Sequence, residues 1–297
     1  LTPSLFLDAL NTNRRYLMRL QPDRLLHNFV LYAGLDPKAP AYGGWEADTI
    51  AGHTLGHYLS ALALMHAQTG CADCVERAHY IVGELARCQA AHGDGYVAGF
   101  SRKRKDGTVV NGKEIFPEIM RGDIRSAGFD LNGCWVPYYN WHKLYTGLFD
   151  IVDHIGPNEQ AMAIAVGLGG YIERVFASLN DEQVQVMLAC EYGGLNESFA
   201  ELHARTGDAR WLRLAERIYD KRNLDPLTQK RDQLANFHAN TQVPKLIGLA
   251  RLHEITGKPE QATAARFFWE QVTRHHSYVI GGNADREYFS GADTIAQ

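Results

Sequence analysis

The sequence has few cysteines, no long apolar run and no excess of positive charge. Five cysteines among 297 residues form too sparse and too odd a set for a disulfide framework. No apolar run approaches the ~20 residues that a membrane-spanning helix needs. Lysine and arginine together number 30 against 34 acidic residues, so no basic field would attract nucleic acid or an anionic membrane. We therefore expect neither nucleic acid nor a membrane as a partner, and the sequence does not predict an oligomeric state.

Neither the N-terminal residues nor the spacing of the cysteines gives a clear indication of compartment or of a metal site. Residues 1–5 lack the charged and apolar regions of a signal peptide, and the chain does not begin with Met. The compartment therefore stays open between the cytoplasm and a periplasmic or extracellular location. Cys71 and Cys74 have the C-x-x-C spacing of a metal or redox site, but no second such pair follows. We interpret these two cysteines as small residues at the start of a helix.

Four pairs of amphipathic segments dominate the sequence, and a short loop containing a glycine joins the members of each pair. The predicted helix pairs are 55–68 with 73–89, 144–154 with 158–179, 197–205 with 209–221, and 245–255 with 259–275. Gly156, Gly207 and Gly257 recur with a period of about 50 residues, as in repeat proteins. One helical hairpin buries little apolar surface, so repeated hairpins must stack or close into a ring. The pattern predicts an all-α (α/α)6 toroid.

The repeat count is lower than a closed ring requires. With a further helix at 5–20, the predicted hairpins give nine helices, whereas a ring of six hairpins needs twelve. Either the array of hairpins is open or the ring is incomplete in this chain; we favour an incomplete toroid that forms a single domain over residues 1–297. The insertion at 92–134 is rich in glycine and has a β-like stretch at residues 108–110, which predicts a small hairpin or loop.

Polar and aromatic residues cluster just before the first helix of each hairpin. In an all-α ring these helices start at the same end, so the side chains would converge on one opening. Aromatic faces stack on sugar rings, while His, Asn and carboxylate groups bind hydroxyls, so the composition suits a carbohydrate. The predicted sugar-binding residues are Trp45, Trp141, His142, Tyr192, His238 and Asn240.

Several of these residues also have ordinary structural explanations. Trp45 and Trp141 are equally suited to a hydrophobic core. His53 and His57 share a helix face, but without a third nearby ligand we favour hydrogen-bonded packing over metal binding. Histidines inside other predicted helices, such as His203 and His253, are interpreted as packing or surface residues.

Glu287 is the predicted catalytic residue. It follows a Gly-Gly turn, and Tyr288 and Phe289 come directly after it. These neighbours predict an apolar environment, in which a carboxylic acid can keep its proton at neutral pH and act as a general acid.

Five of these segments resemble the β-L-arabinofuranosidases of glycoside hydrolase families 127 and 146. They are GHTLGHYLSA at 52–61, WHK at 141–143, EYGGLNE at 191–197, HANTQVPK at 238–245, and Gly-Gly at 281–282 followed by EYF at 287–289. The resemblance covers almost the whole chain in order. It implies an (α/α)6 barrel and a retaining exo-hydrolase that acts on terminal β-L-arabinofuranosides.

The resemblance also implies a zinc-bound cysteine thiolate as nucleophile and a glutamate as acid/base. Glu287 matches the acid/base position, and His142 and His238 match positions that contact the sugar in relatives. The family's zinc ligands, one Glu and three Cys, come after the matched segments, and none of the five cysteines here matches them. We therefore expect zinc in the full-length protein, no metal ligand in this chain and no activity from this chain alone.

Two other functions remain open from the residues themselves. One is a different α/α-toroid sugar enzyme, such as an epimerase or an unsaturated uronide hydrolase, which needs a His pair or a single Asp and no metal. The other is a non-catalytic carbohydrate-binding protein, in which a Glu287→Gln substitution would leave sugar binding unaffected.

Overall fold

The computed structural model describes residues 2–294, and 63% of the chain is helical. In chain order the α-helices are α1 (Leu5–Arg19), α2 (Pro22–Leu25), α3 (His27–Tyr32), α4 (His53–Thr69), α5 (Ala72–His92), α6 (Ile115–Met120), α7 (Pro137–His154), α8 (Glu159–Ala177), α9 (Asp181–Met187), α10 (Leu195–Thr206), α11 (Ala209–Arg217), α12 (Lys221–Thr228), α13 (Ala239–Thr256) and α14 (Pro259–His275). The strands are β1 (Ser101–Lys103), β2 (Val109–Asn111), β3 (Ser126–Ala127), β4 (Asp130–Leu131) and β5 (Cys134–Trp135). The predicted all-α class with a small β-like insertion is confirmed.

Within residues 2–294, no single helix is both long and apolar enough to cross a bilayer. The bent pair α8 and α9 reaches the required length and composition only when its two helices are taken together.

The four predicted hairpins are the pairs α4–α5, α7–α8, α10–α11 and α13–α14. All four first helices begin earlier than predicted, and the difference is largest for α7 and α13. α7 begins at Pro137, because proline suits the first helical position, where no N–H is needed. α13 begins at Ala239 and continues through Pro244, although an internal proline removes one backbone hydrogen bond. The carbonyl that loses this bond belongs to Asn240, which is an exposed residue.

The described chain folds into two compact units. One contains residues 2–121 and 132–175, and the other contains residues 122–131 and 176–294. The prediction of one catalytic domain over residues 1–297 stays a prediction.

In the first unit, glycines bring α4 and α7 into close contact. A Cβ atom placed on Gly56 would lie 2.2 Å from the carbonyl oxygen of Lys143, and one on Gly147 would lie 2.6 Å from the carbonyl oxygen of Gly56. Leu55 and Leu59 of α4 are fully buried. The two helix backbones therefore approach more closely than any side chain at these glycines would allow.

Gly56→Ala is expected to destabilise the chain by about 1–3 kcal/mol or more, because the added methyl group would have to push the two backbones apart. The measurement is the urea midpoint at unchanged m-value. Gly83→Ala is the matched control: it lies within α5, and its nearest neighbouring atom would be 3.9 Å away. Since alanine favours a helix over glycine by about 1 kcal/mol, Gly83→Ala should be neutral or stabilising. Equal losses from both substitutions would contradict the close contact.

The predicted insertion contains short strands. In the first unit β1 pairs antiparallel with β2, placing Arg102 opposite Val110, and β1 also pairs with β5. In the second unit β3 and β4 form a small antiparallel pair. The predicted small hairpin is therefore present.

Three hairpin loops share the motif H-x-x-T-G, at 66–70, 203–207 and 253–257. In each loop the glycine is left-handed and ends the first helix, as Gly207 does with φ of 72°. The histidine Nδ1 bonds the carbonyl five residues ahead, and the threonine hydroxyl donates to the carbonyl four residues back. His203 and His253 are therefore packing residues, as predicted.

Cys71 and Cys74 lie where a helix starts, as predicted. Cys71 is the residue before α5, and Cys74 is buried inside its first turn. Burial, together with the neighbouring Cys71, raises the pKa of the Cys74 thiol to about 12. Because the thiolate is the reactive and metal-binding form, this environment makes Cys74 a poor nucleophile.

Candidate active site

The second unit contains a cavity of about 350 Å³, within the size range of small-ligand sites. Residues from several separate segments line this cavity, which we call the His238 cavity. They include aromatic, cationic and acidic side chains: Phe129, Glu191, Arg222, His238, Lys245 and Tyr288.

His238 is at the N-terminal end of α13 and is only 8% exposed. Its Nδ1 atom lies 3.0 Å from Oε1 of Glu191, which follows α9. Phe129 meets the imidazole edge-on at 5.1 Å between ring centroids, and Tyr288 lies at 5.4 Å. Burial raises the pKa of Glu191, whereas the neighbouring His238 acts in the opposite direction. The structure therefore pairs a buried carboxyl group with an imidazole held between two aromatic rings.

Glu287 lies in a strained two-residue turn. Asp285 and Tyr288 exchange two backbone hydrogen bonds of 2.9 Å across this turn. Between them Arg286 has φ of 47° and Glu287 has φ of 73°. Such a turn with both central residues at positive φ normally carries Asn-Gly, since Cβ crowds the following carbonyl oxygen there and only Gly, or less often Asn or Asp, tolerates it well. Residues forced into this conformation occur most often at functional sites.

The turn places Glu287 beside His238. Oε2 of Glu287 lies 3.4 Å from Nε2 of His238, and the Glu287 carbonyl accepts a 2.8 Å hydrogen bond from the Ala239 N–H. The prediction of an apolar environment for Glu287 is wrong, because its side chain is 71% exposed. The physical reason is that Phe289 turns inward and is 2% exposed, packed against Phe268 instead of covering the carboxyl group.

A buried ion pair lies at the wall of the cavity. The Lys245 ammonium is 2.9 Å from Oδ2 of Asp220, and both residues are less than 5% exposed. The Lys245 ammonium also lies 4.7 Å from the centre of the Tyr192 ring. Burial lowers the pKa of Lys245, and the Asp220 carboxylate opposes this shift. Tyr192 is fully buried beneath the lysine, so the structure places it as a support for this ion pair.

A side-chain network fixes the first turn of α13. Asn223 donates a 2.5 Å hydrogen bond to Oε1 of Gln242, and Gln242 donates to the His238 carbonyl at 3.2 Å. Thr241 donates to the same carbonyl at 3.0 Å. The backbone that carries His238 is therefore held by three polar side chains.

In the first unit, Trp45 belongs to an aromatic cluster. Trp45 is 61% exposed, 5.4 Å from Trp135 and 6.2 Å from His53 between ring centroids. Nδ1 of His53 is 3.0 Å from the Ile50 carbonyl oxygen, in line with the predicted packing role. The buried Glu46 carboxylate accepts the Gly52 N–H at 2.9 Å and thereby fixes the start of α4. Trp45 thus offers an exposed aromatic face.

Trp141 and His142 are neighbours on α7 in the first unit. Trp141 is fully buried, stacks on Phe116 at 5.1 Å and donates its indole N–H to the Val97 carbonyl. The structure therefore places Trp141 in the core. His142 is 6% exposed. It belongs to a different unit from His238 and Glu287, so the predicted convergence of His142 on the same opening stays a prediction.

The sequence was compared with known families and structures. The family model for the β-L-arabinofuranosidase GH127 catalytic domain matches residues 1–297. The chain belongs to this GH127 family. The predicted family resemblance is therefore confirmed. No match was found among curated proteins.

Two solved structures show the same fold as this GH127 chain. One is a GH127 β-L-arabinofuranosidase from Geobacillus stearothermophilus T6, with a TM-score of 0.65 and 14% identity over 97% of this chain and 48% of that one. The other is the GH127 β-arabinofuranosidase BT3674, with a TM-score of 0.63 and 18% identity over 95% of this chain and 44% of that one. This GH127 chain thus spans about half the length of either structure.

The structure of the GH127 chain groups only some of the predicted site residues. Glu287 and His238 are in contact, whereas Asn240 is exposed on the first turn of α13 and does not line the described cavity. Sequence reasoning missed Glu191 and Lys245. Both lie in segments that carry the family resemblance: Glu191 begins EYGGLNE, and Lys245 ends HANTQVPK. Their positions in these segments are the signal by which they could have been predicted. The sugar-binding roles predicted for the individual residues stay predictions.

Zinc was expected from the family resemblance. Among residues 2–294, no three His, Cys, Asp or Glu side chains come together in a way that could hold a metal ion. The five cysteines are all buried, and none lines the His238 cavity. The described residues of the GH127 chain therefore do not form a zinc site.

Proposed function

We propose that the protein containing this chain is a retaining exo-glycoside hydrolase that acts on terminal β-L-arabinofuranosides, with Glu287 as its acid/base. Family membership supports the reaction class. The observation that carries the assignment of Glu287 is its carboxyl group, 3.4 Å from Nε2 of His238, on a strained turn beside a cavity of about 350 Å³.

The proposed chemistry needs two proton transfers at Glu287, one in each step. Glu287 in its acid form donates a proton to the glycosidic oxygen while the bond from that oxygen to the anomeric carbon breaks and the nucleophile bonds to that carbon. In the second step the oxygen of the incoming water bonds to the anomeric carbon, the nucleophile departs, and the Glu287 carboxylate takes a proton from the water, which restores the acid. An exposed carboxyl group on a turn can reach both the departing oxygen and the water.

The composition of the His238 cavity supports a sugar as its ligand. Phe129 and Tyr288 are partly exposed aromatic rings that can pack on the C–H face of a pentose. Arg222 and Glu191 add polar groups that can bind hydroxyls. We propose that His238 and these residues hold the sugar.

The family resemblance assigns the nucleophile to a zinc-bound cysteine. Residues 2–294 do not form such a site. The steps proposed for this chain's own residues therefore involve only the side chains of Glu287 and His238. We also propose that this chain by itself does not turn over substrate.

The experiment is an assay of the full protein with methyl β-L-arabinofuranoside, its α-anomer and methyl β-L-arabinopyranoside. We expect cleavage of the β-furanoside only, and proton NMR should show β-L-arabinofuranose as the first product, since a retaining enzyme keeps the anomeric configuration. An inverted first product, or preference for a pyranoside, would contradict the proposal. Failure to cleave any glycoside while L-arabinose still binds would favour a carbohydrate-binding protein.

A further inference from the structure

Carboxyl groups face both nitrogens of the His238 ring, but the two contacts are unequal. Nδ1 makes a 3.0 Å hydrogen bond with Oε1 of Glu191. Nε2 lies 3.4 Å from Oε2 of Glu287, outside hydrogen-bond geometry. Nε2 is also buried and has no hydrogen-bond partner among the described residues. A buried polar atom without a protein partner is uncommon.

Two aromatic rings pack against the His238 imidazole, and two side chains hold its backbone carbonyl. Phe129 lies nearly perpendicular to it, with an interplanar angle of 80°, and Tyr288 packs at 5.4 Å. Thr241 and Gln242 hold the carbonyl of the same residue. In this orientation Glu191 meets Nδ1 and Glu287 lies beside Nε2.

We propose that Glu191 is a positioning residue that holds His238 in its Nδ1–H tautomer and so turns an unprotonated Nε2 toward Glu287. A carboxylate can only accept hydrogen bonds, so the shared proton must be on Nδ1. Nε2 of the neutral ring then carries a lone pair that can accept a hydrogen bond from the acid form of Glu287. This inference rests on the proposed acid/base role of Glu287.

His238 keeps its own proton throughout the proposed reaction. The acid proton of Glu287 leaves for the glycosidic oxygen, and Glu287 later takes a proton from water, while Nδ1–H stays bonded to Glu191. Before the reaction, the lone pair on Nε2 accepts the hydrogen bond of the Glu287 acid and so holds its carboxyl group beside the ring, and this bond is released when the proton leaves for the glycosidic oxygen. In metal sites, carboxylates that bond the other ring nitrogen of a metal-binding histidine fix that ring in the same way.

The cationic groups of the cavity wall have other neighbours than His238. Lys245 is paired with Asp220, and the Arg222 guanidinium lies 4.9 Å from the centre of the Phe237 ring. Glu191 is therefore the carboxylate of the cavity wall that reaches Nδ1 of His238.

The test is the tautomer of His238, read from ¹⁵N chemical shifts of histidine-labelled chain at a pH where the ring is neutral. The chain has 13 histidines, so the signal is assigned by its absence from His238→Gln. We expect the Nδ1–H form in the wild type. Glu191→Ala should shift the ring to the Nε2–H form that free imidazole side chains prefer, whereas Glu191→Gln, which keeps an acceptor oxygen, should retain mostly Nδ1–H.

Kinetics of the full protein separate positioning from mere support of the fold. Glu191→Ala should lower kcat by about 10- to 100-fold with a smaller change in KM, and Glu191→Gln should recover part of the loss. Glu201→Gln is the matched control, because Glu201 pairs with Arg251 in the same unit and does not touch His238. An Nε2–H ring in the wild type, or an unchanged tautomer in Glu191→Ala, would overturn the inference. If no glycoside is cleaved, the proposed function fails, but the tautomer measurement still decides the role of Glu191.

Discussion

Replacing Glu287 by glutamine is expected to lower turnover of an alkyl β-L-arabinofuranoside by about 10²–10⁴-fold, with binding largely retained. Glutamine has the same shape and tolerates φ of 73° no worse than glutamate, so the turn should persist. It has no acidic proton for the departing oxygen. A nitrophenyl group leaves without such help, so the loss of kcat should be much smaller for the nitrophenyl glycoside. The measurement is kcat and KM for both substrates.

Two further variants test whether the loss of turnover is specific to the Glu287 carboxyl group. Glu254→Gln, at an exposed position of α13 that pairs with Arg251, should leave turnover of both substrates unchanged. Glu287→Gly should abolish turnover of the alkyl substrate yet raise the free energy of unfolding by about 1 kcal/mol, because glycine relieves the left-handed backbone. Equal losses for the alkyl and nitrophenyl substrates in Glu287→Gln would contradict a general-acid role.

The helical hairpins could be predicted from the sequence because their signals are local. The apolar stripe of α13 and the left-handed Gly257 that ends it need no long-range information. The start of α13 was predicted six residues too late, because Pro244 is a strong local signal for a helix boundary. Here the tertiary contacts of Gln242 and the hydrogen bonds at His238 override that signal.

The candidate site depends on contacts between residues far apart in the sequence, so only some of its residues could be predicted. Glu287 and His238 were named from their segments, yet the exposure of Glu287 depends on which way Phe289 turns, and that depends on packing against Phe268. The pairing of Lys245 with Asp220 joins residues 25 positions apart, one in α13 and the other directly before α12. No periodicity or spacing rule could indicate that pairing in a single sequence.

Asp220→Asn is expected to destabilise the chain by about 3–5 kcal/mol, because it leaves the buried Lys245 ammonium without a counter-charge. Burial already lowers the pKa of Lys245, and Asp220 is the main group that opposes the shift. Asp208→Asn is the control: it removes an ion pair with Arg210 at the surface, where the effect should be much smaller. The measurement is urea unfolding of both variants at pH 7.

The pH dependence gives the ion-pair prediction a second test with a definite sign. The pKa of Lys245 is lower in the folded state than in the unfolded chain, so at alkaline pH the unfolded state binds more protons and stability rises with pH. Without Asp220 that difference widens, so the deficit of Asp220→Asn should shrink as the pH rises toward the ordinary lysine value of about 10.4. Adding Lys245→Met to Asp220→Asn removes the unpaired charge and should restore much of the lost stability even at pH 7. A deficit that is independent of pH and additive with Lys245→Met would show that the two residues act separately, since a coupled pair cannot give additive losses.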